Sequence, residues 1–173
     1  MDLKSRIREI EGFPKKGVSF KDITTLLKDG KVFKYLIERL SDQLRDLNID
    51  VIAAPEARGF LIGTPVAYNL GIGFVPIRKP GKLPADTISC EYELEYGMDL
   101  LEIHKDAITP GQRVAILDDL LATGGTVLAS AKLVEELGGE VVTINFIIEL
   151  DYLNGKDALE NYEVNSLIHY YDE

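Results

Sequence analysis

The stretch Val114–Thr126, VAILDDLLATGGT, restricts this chain more than any other part of it. Four apolar residues in succession, Val114 to Leu117, suit a strand buried on both faces, as in a parallel sheet. Asp118 and Asp119 are expected to end that strand. Leu120 and Leu121 lead into Ala122-Thr123-Gly124-Gly125-Thr126, after which Val127–Leu137 has a helical period and closes on Gly138-Gly139. Strand, turn and helix in this order aim free backbone N–H groups and the positive end of a helix dipole at one spot, which suits a phosphate. Gly124 and Gly125 let the backbone approach phosphate oxygens closely, and Thr123 and Thr126 can add hydroxyl donors. Two carboxylates beside a phosphate repel it unless they hold neutral hydroxyls or act through a divalent cation, so the ligand suggested is a sugar phosphate.

The same residues, a buried strand, two acids and Ala-Thr-Gly-Gly-Thr, closely resemble the phosphoribosyl pyrophosphate (PRPP) motif of type I phosphoribosyltransferases. The resemblance implies that Asp118 and Asp119 hold the ribose hydroxyls and that Ala122, Thr123, Gly124, Gly125 and Thr126 hold the 5′-phosphate.

Composition bounds the rest. One domain is expected from 173 residues with 46% hydrophobic content. A net charge of −10 disfavours sequence-independent nucleic-acid binding and attachment to an anionic membrane. Cys90 is the single cysteine and excludes an internal disulfide, MDLKSRIREI lacks the apolar core of a signal peptide, and the apolar runs are too short to span a bilayer, which together lead us to expect a cytoplasmic protein.

Along the chain, Leu3, Ile7 and Ile10 predict a short amphipathic helix. FPKKGVSFKDIT, residues 13–24, has no clean period and reads either as a surface connector whose aromatics plug the core or as a binding loop. It resembles the N-terminal loop of adenine phosphoribosyltransferases, whose second phenylalanine stacks on the base. That implies a stacking role for Phe20 and edge recognition by backbone groups of Val18, Ser19 and Lys21. An arginine follows the phenylalanine in part of that family; here it is Lys21. Lys31–Leu47 predicts a core-facing helix, Asp50–Ala54 a second buried strand and Leu61–Leu70 another helix. Between these, PEARGF resembles the family's pyrophosphate loop, which implies that Arg58 binds phosphate and that Glu56 and Ala57 form a strained turn beside it.

Gly73–Ile77 predicts a strand, and Arg78, Lys79 and Lys82 then fall within a Pro- and Gly-containing segment, a local reversal of sign in an acidic chain. IRKPGKLP with the later LEYG again resembles adenine phosphoribosyltransferase, implying a flap over residues 78–99 whose Glu95 donates a proton to the base. Glu91 and Glu93, like His104, Cys90 and His169, carry no implied role. Glu140–Leu150 predicts a late strand, Asp151–Leu159 a short helix and Tyr162–Tyr170 a last strand on an edge. The expected fold is α/β, the type I phosphoribosyltransferase fold, a central parallel sheet flanked by helices with a small N-terminal hood (residues 1–28) and a flexible catalytic flap.

The resemblance implies adenine and PRPP as substrates, Mg²⁺ held mainly by pyrophosphate and water, and a homodimer. The alternatives are a related enzyme for another purine base, such as hypoxanthine, guanine or xanthine, and a PRPP-sensing regulator on the same fold. Phe20 and Glu95 speak against the first. The lack of an added helix-turn-helix segment and of a basic charge balance speaks against the second.

Overall fold

The computed structural model describes residues 1–94 and 97–172. A 3-10 turn at Lys4–Arg6 is followed by β1 (Arg8–Glu11), β2 (Ser19–Asp22), α1 (Thr24–Leu27), α2 (Gly30–Leu44), β3 (Val51–Pro55), α3 (Arg58–Leu70) and β4 (Gly73–Ile77). Then come β5 (Thr87–Leu94), β6 (Gly97–His104), β7 (Arg113–Leu121), α4 (Gly125–Glu136), β8 (Glu140–Leu150), two 3-10 turns at Asp151–Leu153 and Gly155–Leu159, and β9 (Val164–Tyr170). Five parallel strands make the central sheet in the order β4-β3-β7-β8-β9. Two separate antiparallel pairs, β1/β2 and β5/β6, flank it as hood and hairpin.

The apolar run of β7 lies at the centre because both sheet faces are covered. Ala115 and Leu117 face the core built with Leu36 and Leu40 of α2 and Ile62 and Val66 of α3. Val114 and Ile116 face the opposite core, built with Val127, Ala131 and Val134 of α4 and with Leu101 and Ile103 of β6. Residues at period two thus feed two cores, which is why the run carries no polar residue.

Four sequence expectations need correction. The strand does not end at the aspartates but continues to Leu121, because β8 keeps pairing with it through Leu121↔Glu149. Leu3, Ile7 and Ile10 do not share a helix: the chain makes one 3-10 turn and then extends as β1, since pairing with β2 satisfies its backbone and Leu3 and Ile7 are already buried. For the same reason residues 19–22, expected in a loop, are a strand. Asp151–Leu159, expected as a helix, is two 3-10 turns broken at Asn154, which sits at φ 53°.

The hood is tied to the sheet through one buried cation. Lys21 is only 3% exposed, and its ammonium lies 2.9 Å from Glu9 Oε2, 3.0 Å from Ser19 Oγ and 4.5 Å from the centre of the Tyr170 ring on β9. Lys4 lies 4.2 Å from the centre of the same ring and donates to the His169 carbonyl. A buried ammonium is stable only with such partners. Burial and Glu9 in turn push the Tyr170 phenol up to about 12.

Candidate active site

A cleft opens where the sheet divides. β3 pairs with β7 only through Ala53↔Ile116, while β7 runs on beside β8, so Asp118 and Asp119 project from a strand that is paired on one side and open on the other. The helix after β3 packs in one core and the helix after β7 in the other, which makes this gap the switch point at which α/β sheets bind ligands. The cleft holds about 450 Å³ and is lined by Glu56–Arg58, Asp118–Val127 and Phe146.

Its floor is the loop before α4. Gly124, at φ +86°, is the N-cap, and the first helical bond runs from Leu128 N–H to Gly124 O at 2.9 Å. The amides of Gly125, Thr126 and Val127 therefore have no partner inside the helix and are available to an anion. A second backbone segment supports this loop from below: a β-carbon on Gly124 would stand 2.7 Å from Gly155 O, and one on Gly155 would stand 2.2 Å from Ala122 O. The segment carrying Gly155 is itself held by Lys156 on Glu149 (3.0 Å) and by His169 Nδ1 on Asp151 (3.0 Å). In the Glu149–Asp151–His169 group, the Lys156 ammonium already serves as the cation for Glu149.

The wall is electrostatic. Arg58 Nε lies 2.5 Å from Asp119 Oδ2, and its guanidinium carbon lies 5.5 Å from the centre of the Phe20 ring. One arginine thus touches both the carboxylate pair and the hood. Phe20 also meets Phe13 edge to face at 5.2 Å. Burial and the neighbouring Asp119 hold Asp118 well above the usual carboxylate range. Burial raises Asp119 as well, and Arg58 opposes the rise. Such a pair of raised carboxyls is a mark of a functional cleft. Gly59 packs closely beside it, since a β-carbon there would lie 3.1 Å from Leu117 O and 3.2 Å from Asp118 Oδ1.

The other anticipated residues are distributed as follows. Glu56 Oε1 accepts the Lys79 backbone N–H at 2.7 Å and lies 3.4 Å from Arg78 Nε, so the basic segment starts at the rim of the cleft. Arg78 also exchanges backbone bonds with Glu102 of β6, while Lys82 is exposed and does not line the cleft. In the hood, Ser19 donates its hydroxyl to Glu11, and Val18 spends its N–H on the Lys15 carbonyl and accepts from Gly12. Ala57 follows a cis Glu56–Ala57 peptide bond. Glu95 lies outside the described residues.

Sequence reasoning missed Tyr92, Asp99 and Gly155. Tyr92 is buried against Gly125 and donates to Asp99 Oδ2 at 3.2 Å, and Asp99 pairs with Lys79. The dipeptide Asn154-Gly155 signals a turn, but nothing local says that the turn lies under the phosphate loop.

Comparison with known proteins agrees with this geometry. Residues 24–168 match the family model of the phosphoribosyl transferase domain. The chain is 71% identical to an adenine phosphoribosyltransferase of Alkaliphilus metalliredigens over 98% of its own length and 100% of the relative's. The crystal structure of adenine phosphoribosyltransferase from Thermoanaerobacter pseudethanolicus superimposes with a TM-score of 0.95 at 64% identity, covering 97% of this chain and 98% of that one. The enzyme from Saccharomyces cerevisiae, solved in complex with adenine and D-2,5-dideoxy-2,5-imino-altritol 1,6-bisphosphate, gives a TM-score of 0.91 at 41% identity, covering 95% and 96%. The chain belongs to the phosphoribosyltransferase family, among the adenine phosphoribosyltransferases.

Proposed function

We propose that this protein transfers the phosphoribosyl group of PRPP to adenine, giving AMP and pyrophosphate in purine salvage. One observation carries the reading: Arg58 joins the Asp118–Asp119 pair, suited to ribose hydroxyls, to the Phe20 ring, suited to a flat base, directly above the phosphate loop. The yeast relative solved with adenine and a bisphosphate supports the same pairing of ligands.

The division of labour follows from chemistry. The loop amides at Gly125–Val127 and the hydroxyls of Thr123 and Thr126 bind the 5′-phosphate. Asp118 and Asp119 accept from the ribose hydroxyls and place C1′. Loss of pyrophosphate leaves positive charge on the ribose ring, which two nearby carboxylates stabilise. Arg58, Lys79 and the adjacent cations Arg78 and Lys82 receive the leaving diphosphate. Phe20 presents an aromatic face to the base, while the backbone carbonyl of Val18, just before β2, and backbone groups of Ser19 and Lys21 on β2 read its edge. Because the Lys21 ammonium is engaged by Glu9 and Ser19, its part is played through the main chain, and a lysine in place of an arginine costs no base contact.

Magnesium fits this surrounding, because the oxygen donors present to hold it, directly or through water, are the carboxylates of Asp118 and Asp119, whose raised pKa values a cation would relieve. Bound to the diphosphate, it would neutralise leaving-group charge.

A homodimer in the cytoplasm completes the reading. Tyr68 and Leu61 of α3, 89% and 47% exposed, border an apolar depression with Leu27, Phe33 and Pro65, on the same helix that begins with Arg58. An exposed patch of this kind suits a second copy, and the mass in solution checks it.

The deciding assay supplies adenine, hypoxanthine, guanine or xanthine with PRPP and Mg²⁺ and follows nucleotide formation. Nucleotide from a 6-oxopurine in preference to adenine overturns the reading. Within it, Phe20→Ala is expected to raise KM for adenine severalfold and leave KM for PRPP little changed, since ring stacking is worth about 1 kcal/mol beyond area burial. Equal effects on both substrates would make Phe20 a core plug instead.

A further inference from the structure

Asp99 stands where a carboxylate is hard to explain by the reaction alone. It lies on β6, reaching a site suited to polyanions through Lys79 and Tyr92, and its charge disfavours such a ligand. Its Oδ2 contacts the Lys79 ammonium and accepts from the Tyr92 hydroxyl at 3.2 Å, while Oδ1 accepts from Leu100 N–H at 2.8 Å. Tyr92 is buried and packs on the phosphate loop: a β-carbon on Gly125 would lie 3.6 Å from its ring. Lys79 is fixed at its other end, where its backbone N–H donates to Glu56 beside Arg58. Only the lysine side chain is left to move, and at 52% exposure it has room to do so. The cation and its partner steady one another's charged forms, Lys79 being raised and Asp99 lowered by their contact.

We propose that Asp99 is a positioning residue for the pyrophosphate end of the donor. In the free protein it holds the Lys79 ammonium extended beside the cleft, in the role that a diphosphate oxygen takes over when PRPP binds. An ammonium–carboxylate pair whose lysine is half exposed is weak enough to be exchanged for a more highly charged phosphate partner. Tyr92 keeps Asp99 at a set distance from the loop that receives the 5′-phosphate, so the lysine waits in register with the other end of the same substrate. This inference rests on the reading of Lys79 as a phosphate-binding cation.

The test is a calorimetric titration of PRPP with Mg²⁺ into the full-length wild type, Asp99→Asn, Lys79→Ala and the double variant. Lys79→Ala is expected to weaken binding. Asp99→Asn is expected to tighten it about two- to fivefold, the scale on which exposed ion pairs act, with KM for adenine unchanged. In the Lys79→Ala background, Asp99→Asn is expected to have no effect. Unchanged affinity in Lys79→Ala overturns the reading of Lys79 itself. With that reading intact, an Asp99→Asn variant that leaves affinity unchanged, weakens it, or shifts it equally in both backgrounds overturns the role of Asp99, because a mere charge at the rim acts whether or not the lysine is there. Asp99→Ser supplies a second carboxylate-free variant should Asp99→Asn fold poorly.

Discussion

Glu95→Gln is expected to lower turnover by about 10²–10⁴-fold, the usual worth of positioned proton transfer, while PRPP affinity and thermal unfolding stay as in the parent. When C1′ is transferred to one ring nitrogen of adenine, the imidazole half of the base must be in the right protonation state. A carboxyl group can donate to, or steady, the other ring nitrogen, and an amide of the same shape cannot exchange that proton. Glu95 enters from the LEYG resemblance alone, since it lies outside the described residues. The structure nonetheless supplies its controls. Glu91 and Glu93 are exposed on β5 and line a depression over α4 with Leu128 and Lys132, which shares Thr123 and Gly125 with the cleft of Asp118 and Asp119, while neither glutamate lines that cleft. Glu91→Gln and Glu93→Gln are therefore expected near wild-type rates. Single-turnover measurements decide the matter: a Glu95→Gln enzyme as fast as the parent, or a Glu91→Gln enzyme equally slow, leaves catalysis to positioning and electrostatics.

Converting Asp118 and Asp119 together to asparagine is the other large effect. A hydrogen bond to a charged acceptor is worth about 1.5–3 kcal/mol, so each change is expected to weaken PRPP binding by roughly ten- to a hundredfold. Stability should move the other way. Both carboxyls are raised by burial, so the folded protein holds them against a desolvation cost that asparagine does not carry. Among the described residues the ion pair given up is with Arg58, whose side chain is 48% exposed and loses little when released to water. The double variant is thus expected to unfold at an equal or higher temperature while binding PRPP far more weakly. Unchanged PRPP affinity in the folded double variant would falsify the ribose assignment, and a large loss of stability would make the pair structural.

How much of this was legible in the sequence depended on how local each signal was. Gly73–Ile77 and Glu140–Leu150 were readable to the residue, because each is a stretch rich in Val, Ile or Phe bounded by local breakers, Gly71 and Arg78 for the first and Gly139 and Asp151 for the second. The turn into α4 was readable because its Ala-Thr-Gly-Gly-Thr signal is consecutive. β1 was not: Leu3, Ile7 and Ile10 fit a helical spacing, and only the pairing Ile10↔Phe20 decides for a strand. The extension of β7 to Leu121 depends likewise on β8, and an acidic pair inside a strand looks from sequence like its end. Tyr92, Asp99 and Gly155 owe their places to contacts with residues 79, 125 and 122, far from them in sequence. Lys21 was singled out for its backbone, whereas its side chain fastens the hood to Tyr170.

The two backbone segments that cross at Gly124 and Gly155 have a consequence for how affinity can be used. With no side chain on either glycine and a carbonyl within 2.7 Å of the added carbon at each, the loop before α4 rests directly on the segment behind it and has no room to retreat. On the proposed reading the 5′-phosphate docks on a surface supported from behind, and little ordering entropy is charged against that contact. That phosphate takes no part in bond breaking at C1′. The free energy of seating it is left over to hold the ribose in line between base and leaving group, so an anchor several bonds from the chemistry contributes to the rate of the chemistry itself.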